Sequence, residues 1–317
     1  MDIRLAADRR FRGQLAGHLR RTSPRPALNQ RRSEHALDTA LAARRSHPHH
    51  HPARPDLLIV ATAGWSIPRA CAAAFAGTGT HLQRYAVRLA GVEINTSFHR
   101  NHLPQTYGRW AAQVPAGFLF SLKLPRQITH DQRLRAAGRP LDAFLEATSV
   151  LGRRRGPLVV QLPPSLPFEP RVVRRFLALL RERHAGHVVC EPRHPGWFTP
   201  AAEALLTQFR IARVAADPAV VPAAALPGGW PGIVYCRLHG SPRKYWSAYG
   251  PQDLEHWADV LSAPRRTPVW CVFDNTASGA ALANALQMRG RISPSARGSS
   301  TGSRRGSAAK PAAARHK

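Results

Sequence analysis

Eight short apolar runs, each closed by polar residues, constrain this chain more than any other feature. They lie at residues 56–64 (DLLIVATAG), 92–98 (VEINTSF), 118–125 (FLFSLKLP) and 157–164 (PLVVQLPP). Four more follow at 187–192 (HVVCEP), 211–218 (IARVAADP), 233–240 (IVYCRLHG) and 268–275 (PVWCVFDN). Helix-like stretches separate most of them, among them 171–183, 200–209 and 251–261, with 278–288 after the last. Strands that are apolar almost throughout need cover on both faces, which a parallel sheet flanked by helices provides. Eight strand–helix repeats within residues 56–289 predict a single α/β domain of the TIM-type (β/α)8 barrel class. A doubly wound open sheet is the alternative.

The flanks read differently. Residues 1–55 lack a sustained apolar period and end in a His/Pro cluster, and residues 290–317 are rich in Ser, Gly and Ala. Both are expected to be disordered basic tails. The chain carries 46 Lys+Arg against 18 Asp+Glu, a net charge of +28. Residues 1–55 hold 12 basic and 4 acidic residues, and residues 290–317 hold 7 basic and none acidic, so over half the excess lies in these flanks. Only four of the basic residues are Lys. An Arg, Ala and Pro bias also follows from a GC-rich genome, and that reading stands beside a role in polyanion binding. Either way the field favours salt-sensitive association with nucleic acid.

No apolar run approaches the roughly 20 residues of a membrane span, so no membrane partner is expected. The Arg-rich start has no apolar signal core. Cys71, Cys190, Cys236 and Cys271 show no metal-ligand spacing. A reduced, cytoplasmic setting is expected. His47, His49, His50 and His51 read as a solvated tract rather than a metal site.

In barrels the C-terminal strand ends and the loops after them form the working face. There the second run offers Glu93 and Asn95, with Ser97 on the same side by two-residue alternation. The third ends at Lys123, followed by Arg126 and His130, and the fourth ends at Gln161. The fifth carries Glu191, Arg193 and His194, with Trp197 behind. Arg237 and His239 close the seventh, Asp274 and Asn275 the eighth, and Arg243, Lys244 and Tyr245 lie in the loop between. So many ionisable groups at one rim point to a ligand, because desolvating them is costly. The excess of cations points to phosphate or carboxylate.

Plainer readings stand beside these. Glu93, Glu191 and Arg237 could form an ion-pair network that only closes the barrel. Lys123 suits anion binding or, less commonly, a Schiff-base amine. His239 could be a core histidine, and Asp274 with Asn275 could cap a helix. Glu93, Glu191, His239 and Asp274 have the donor types of a metal site, but no local ligand spacing, and no metal is assigned. Without a Gly-rich phosphate loop, nucleoside triphosphate hydrolysis is not indicated, and no cofactor is assigned.

At these residues the chain resembles the YecE-like family, domain of unknown function 72. The matching segments are 62–66 (TAGWS), 92–100 (VEINTSFHR), 110–130 (WAAQVPAGFLFSLKLPRQITH) and 161–165 (QLPPS). They continue at 190–198 (CEPRHPGWF), 235–249 (YCRLHGSPRKYWSAY) and 273–286 (FDNTASGAALANAL). The resemblance implies a TIM-barrel-like fold and supplies no reaction. It places the family's polar motif positions on Glu93, Asn95, Lys123, His130, Gln161, Glu191, Arg193, His194, Arg237, His239 and Asn275. Pro68-Arg69-Ala70-Cys71 stands where relatives commonly have a Trp, and His99 where Tyr is usual.

The expected function is binding, and turnover, of a phosphate-bearing or other anionic ligand at the strand C-termini. Glu191 and His239 are the acid–base candidates, with Lys123 as the third catalytic candidate. Glu93, Asn95, His130, Gln161, Arg193, His194, Trp197, Arg237, Tyr245, Asp274 and Asn275 are the ligand-binding candidates. A nucleic-acid-binding protein using the basic rim and tails, and a scaffold that binds nothing, are the alternatives.

Overall fold

The computed structural model describes residues 58–263 and 265–292. The expected tails and the histidine tract fall outside these residues, apart from 290–292, which continue the last helix. Every one of the eight apolar runs contains a strand. These are β1 (Leu58–Thr62), β2 (Gly91–Ile94), β3 (Leu119–Lys123), β4 (Arg155–Gln161) and β5 (Val188–Glu191). The sixth run is split into β6 (Ile211–Arg213) and β7 (Ala215–Asp217), and an unforeseen two-residue β8 (Gly228–Gly229) follows. β9 (Val234–Leu238) and β10 (Val269–Phe273) complete the set.

The chain folds as a mixed α/β protein with parallel sheets. Instead of one continuous ring, the ladders divide into two sheets, ordered β1-β10-β9-β7 and β2-β3-β4-β5-β6-β8. Every ladder is parallel except that of β8 with β6. The division falls at Val214, between β6 on β5 and β7 on β9, where the Val214 amide still donates to the Cys190 carbonyl at 2.8 Å. Between β1 and β2 the contact is a single parallel bridge, Ala63 with Glu93, and the Gly64 amide donates to the Glu93 carbonyl at 2.9 Å.

Eight α-helices are described: α1 (His81–Arg88), α2 (Thr96–His99), α3 (Pro104–Ala112), α4 (Gly138–Ser149), α5 (Pro170–Arg183), α6 (Pro200–Gln208), α7 (Pro251–Ser262) and α8 (Ala280–Ile292). Proline opens α3, α5, α6 and α7, a position where its missing N–H costs nothing and its fixed φ is already helical. α1 starts instead on a capping box of Thr80 with Gln83. α5 buries Val173, Phe176, Leu177 and Leu180, the i, i+3, i+4, i+7 stripe of an amphipathic helix.

The helices and the strand residues facing them form the larger core cluster. A smaller one gathers Ile59, Ala61, Val159, Val189, Ala212, Val214, Ile233, Tyr235, Trp270 and Val272. It contains no helical residue and draws on both sheets, so the two sheets share an apolar core on the face turned from the helices. Strand alternation assigns the positions: Val188 and Cys190 face the helices, Val189 and Glu191 do not.

One local expectation is corrected. The run 92–98 does not stay extended: β2 stops at Ile94, Asn95 is right-handed helical (φ −81°, ψ −25°), and α2 follows. Ser97 therefore leaves the strand side shared by Glu93. Its hydroxyl donates to the carbonyls of Ile94 and Lys123, binding the start of α2 to the end of β3.

Candidate functional site

Three strand columns of the smaller core start apolar and end charged. Val189 is followed two residues on by Glu191, Tyr235 by Arg237 and then His239, and Val272 by Asp274. Side chains from both sheets thus meet at the C-terminal strand ends, beyond the last apolar layer.

Arg237 is the centre. Its guanidinium is fully buried. Nε and Nη2 donate to the two Glu93 oxygens at 3.0 and 2.6 Å, Nη1 donates to Glu191 Oε2, and Nη2 also reaches Asp274 Oδ2 at 3.0 Å. A planar fork with five donors suits this arrangement; a lysine would not reach three carboxylates. Tyr235 completes Glu93 by donating to Oε2 at 2.8 Å, and Ser121 Oγ lies 2.8 Å from the same phenol.

His239 sits in the same frame, fully buried, with Nδ1 3.0 Å from Asp274 Oδ2 and Nε2 3.0 Å from Glu191 Oε1. Burial pushes the Glu191 carboxyl up, but the cations Arg193, Arg237 and His239 outweigh it and hold it well below the usual range. Asp274 is likewise raised by burial and brought below its ordinary value by Arg237 and His239. Both carboxylates are therefore ionised at neutral pH.

The cations around this frame are less committed. Arg193 Nε donates to Glu191 Oε1 at 2.9 Å and Nη1 to the Tyr245 hydroxyl at 2.8 Å, while the buried Nη2 has no partner among the described residues. Lys123 is 9% exposed, and its ammonium makes no hydrogen bond or ion pair with any described residue. Its Nζ lies 4.0 Å from the centre of the Phe98 ring. Burial, then the Arg237 cation, lowers Lys123 to about 8 against the pull of Glu93, Glu191 and Asp274. Half-buried Lys244 is also lowered to about 8, by burial and then Arg193. His130 packs edge-on to Phe98 at 4.9 Å and is lowered to about 4, by burial and then by Lys123, Arg126 and Arg193. It is neutral at pH 7.

Asn95 joins the frame, its amide donating to Asp274 Oδ1 at 3.3 Å, and Gln161, 4% exposed, presents an amide with no hydrogen bond to a described residue. Three other candidates are held in local structure. Trp197 is 1% exposed and donates to the Leu166 carbonyl at 2.9 Å. His194 Nδ1 accepts from the Gly196 amide, capping the turn Pro195–Trp197. Asn275 donates to the Ser247 carbonyl and to Asn284, tying the loop after β9 to α8. Arg126, exposed, pairs with Asp131. Tyr235 and Ser121 escaped the sequence reading, although alternation puts them in line with Arg237 and Lys123. Among the described residues no group of three or more His, Cys, Asp or Glu is arranged to hold a metal ion. Between the carboxylates, where a cation would sit, lies the Arg237 guanidinium.

These features define an α/β protein whose parallel strands carry a buried ion-pair frame at their C-terminal ends, with further cations beside it. The chain belongs to the family described as protein of unknown function DUF72, whose model matches residues 59–307. Curated relatives are the UPF0759 protein YecE of Escherichia coli K12 and of Escherichia coli O157:H7. Each is 33% identical over 126 residues, which is 39% of this chain and 45% of the relative. The match thus spans less than half the length of those relatives. A crystal structure of a DUF72 family protein from Enterococcus faecalis V583 superposes with a TM-score of 0.63 at 20% identity, covering 74% of this chain and 95% of that one. One from Thermotoga maritima MSB8 gives 0.62 at 22% identity, covering 75% and 99%. At such identities the likeness speaks for the fold alone.

Proposed function

We propose that the two sheets are arcs of one (β/α)8 barrel spanning residues 56–289, and that its C-terminal rim binds and turns over a small phosphate-bearing or otherwise anionic molecule. The arcs would join at the Ala63–Glu93 bridge and across Val214, and the core shared by both sheets supports this. A cytoplasmic, soluble protein flanked by basic tails belongs to the same reading.

One observation carries the anion: the buried Arg193 Nη2 and the Nζ of the largely buried Lys123 have no acceptor among the described residues, although they stand beside carboxylates that already ion-pair with Arg237. Buried donors left without a partner are costly, and a carboxylate or phosphate supplies what they lack. Arg237 is spent on the frame and acts through it. Glu191 and His239 are the acid–base pair, a proton passing along the Nε2–Oε1 contact when a ligand displaces Arg193.

Calorimetric titration with inorganic phosphate and with pyruvate tests this. Wild type should bind one of them, and Arg193→Ala, still folded by circular dichroism, should bind about ten- to hundred-fold more weakly, the loss of one charge-assisted hydrogen bond. No anion binding by wild type, or unchanged binding by Arg193→Ala, sinks the reading.

A specific contact favours a second reading. The Arg243 guanidinium lies 4.7 Å from the Trp246 ring, and both side chains are exposed. Such a pair offers a nucleobase a stacking platform and a phosphate a cation. Affinity for a single-stranded oligonucleotide that falls steeply with salt and drops in Trp246→Ala would support it; binding indifferent to Trp246 would not.

A further inference from the structure

The lysine count turns one member of the rim into a specific chemical group. Charge in this chain is supplied almost wholly by arginine, with four lysines among 46 basic residues. The described residues contain only Lys123 and Lys244, and both stand at the same rim. Surface arginine meets any need for fixed positive charge here. What arginine cannot supply at neutral pH is a free amine.

Of the two, Lys123 is built in. It ends β3, so its backbone is fixed by the parallel ladder, and its Cα pairs with Val159 of β4. Its stem is buried and its Nζ rests over Phe98 with no acceptor among the described residues. Lys244 belongs to the loop after β9 and is more exposed. We infer that Lys123 is a covalent-binding amine, condensing through Nζ with a small aldehyde or ketone that carries a carboxylate or phosphate. This inference rests on the anion-binding reading, with Arg193 taking the charged end of the same molecule.

The step balances without any outside redox partner. The ammonium releases one proton and the neutral amine attacks the carbonyl carbon. The carbonyl oxygen collects two of the three ammonium protons and departs as water, and a protonated C=N bond replaces C=O. His130 packs on the same Phe98 ring as Nζ and has no hydrogen bond from its Nε2 to a described residue, so it can carry the proton between nitrogen and oxygen. Glu93, Glu191 and Asp274 provide the negative field that steadies the iminium left behind. The lowering of the amine to about 8 leaves a usable fraction unprotonated at neutral pH.

Four lysines make the test direct. The full chain is incubated with pyruvate, and separately with glyceraldehyde 3-phosphate, together with sodium cyanoborohydride, which reduces an iminium to a stable secondary amine. Peptide mapping by mass spectrometry then assigns the adducts. At pH 7.5 Lys123 should carry about ten-fold more adduct than Lys310 or Lys317, given its larger free-amine fraction, and more than Lys244, which is also lowered to about 8 but stands on a more exposed loop away from the fixed end of β3. The trapping rate should rise with a midpoint near pH 8 rather than 10.5. Lys123→Arg removes the nucleophile, so it should lose the adduct. Wild-type mapping stands even if that variant misfolds. Adducts spread evenly, or concentrated on Lys244, overturn the inference. Phosphate bound with no Lys123 adduct for either carbonyl compound overturns it and spares the anion reading; neither binding nor adduct sinks both.

Discussion

At the scale of single residues, Arg237 decides whether the rim exists. Removing it leaves Glu93, Glu191 and Asp274 buried together without their common counter-ion. Breaking a buried pair from one side costs about 3–5 kcal/mol, mostly the penalty of the charge left behind. Arg237→Ala should therefore lose at least that much in urea unfolding, or fail to fold. Arg237→Lys should recover only part, since one ammonium cannot reproduce the double contact with Glu93. A loss below about 1 kcal/mol in Arg237→Ala would show that the frame is not as buried as its geometry implies. Glu93, Glu191, Arg237, His239 and Asp274 were legible as polar residues ending apolar runs. Tyr235 and Ser121 were not, because a tyrosine or serine inside an apolar strand reads as core until its neighbour's charge is known. Trp197 differs in the other way: beside a polar motif it reads as a ligand contact, whereas its buried indole donates to the Leu166 carbonyl.

At the scale of elements, the loop from Gly240 to Gly250 brings Lys244 and Tyr245 to the rim. It is held from several sides: the Gly240 amide donates to the Tyr249 hydroxyl, and Asn275 donates to the Ser247 carbonyl. Tyr245 adopts φ 66°, unusual for a residue with a Cβ, and such strain persists where surrounding contacts enforce it. Gly240 has φ +93°, and a Cβ there would stand 2.6 Å from the Ser247 carbonyl oxygen. Gly240→Ala should thus displace the loop and weaken anion binding by about ten-fold, while costing about 1–3 kcal/mol of stability. Binding unchanged in Gly240→Ala would remove this loop from the site. Four of the helices, α5 to α8, were legible as the helix-like stretches 171–183, 200–209, 251–261 and 278–288. The break at Val214 was not, because IARVAADP is apolar and evenly spaced through the point where its partner changes from β5 to β9. Nor was the end of β2, since alternation cannot register that Asn95 turns helical.

For the molecule as a whole, closure of the two sheets has a direct signature. If they form one ring, the amides of Gly64 and Val214 bridge its seams and should exchange with solvent as slowly as those inside the β3–β4 and β9–β10 ladders. Exchange at the rate of loop amides would leave two open sheets. The eight strand-bearing runs were legible because each is apolar; that the sixth divides into β6 and β7, that β8 follows, and whether the sheets close depend on pairings between residues far apart in sequence, which no local pattern contains.

Stability against pH follows from groups spread over the entire domain. His130 and His184 are both lowered to about 4, each first by burial and then by neighbouring cations, so the unfolded chain takes up these protons near pH 6.5 and the folded chain does not. Stability falls with pH across that window. Glu191 and Asp274, held below their ordinary values, extend the loss below about pH 4. On the alkaline side Lys123 and Lys244, lowered to about 8, hold fewer protons in the fold than when unfolded, so stability rises as pH climbs through 8. Burial raises the thiols of Cys71, Cys190, Cys236 and Cys271 above their ordinary value of 9.0. The unfolded chain releases those protons first, and four thiols outnumber two amines, so stability declines again above about pH 9. The maximum should lie at about pH 8–9, alkaline of the usual range. Urea unfolding under a reducing agent at about pH 5, 7, 8.5 and 10 measures it, and Lys123→Met should flatten the rise between about pH 7 and 8.5. A maximum at pH 6 would mean that the rim lysines are not desolvated as described, and the case for an amine at Lys123 would fall with it.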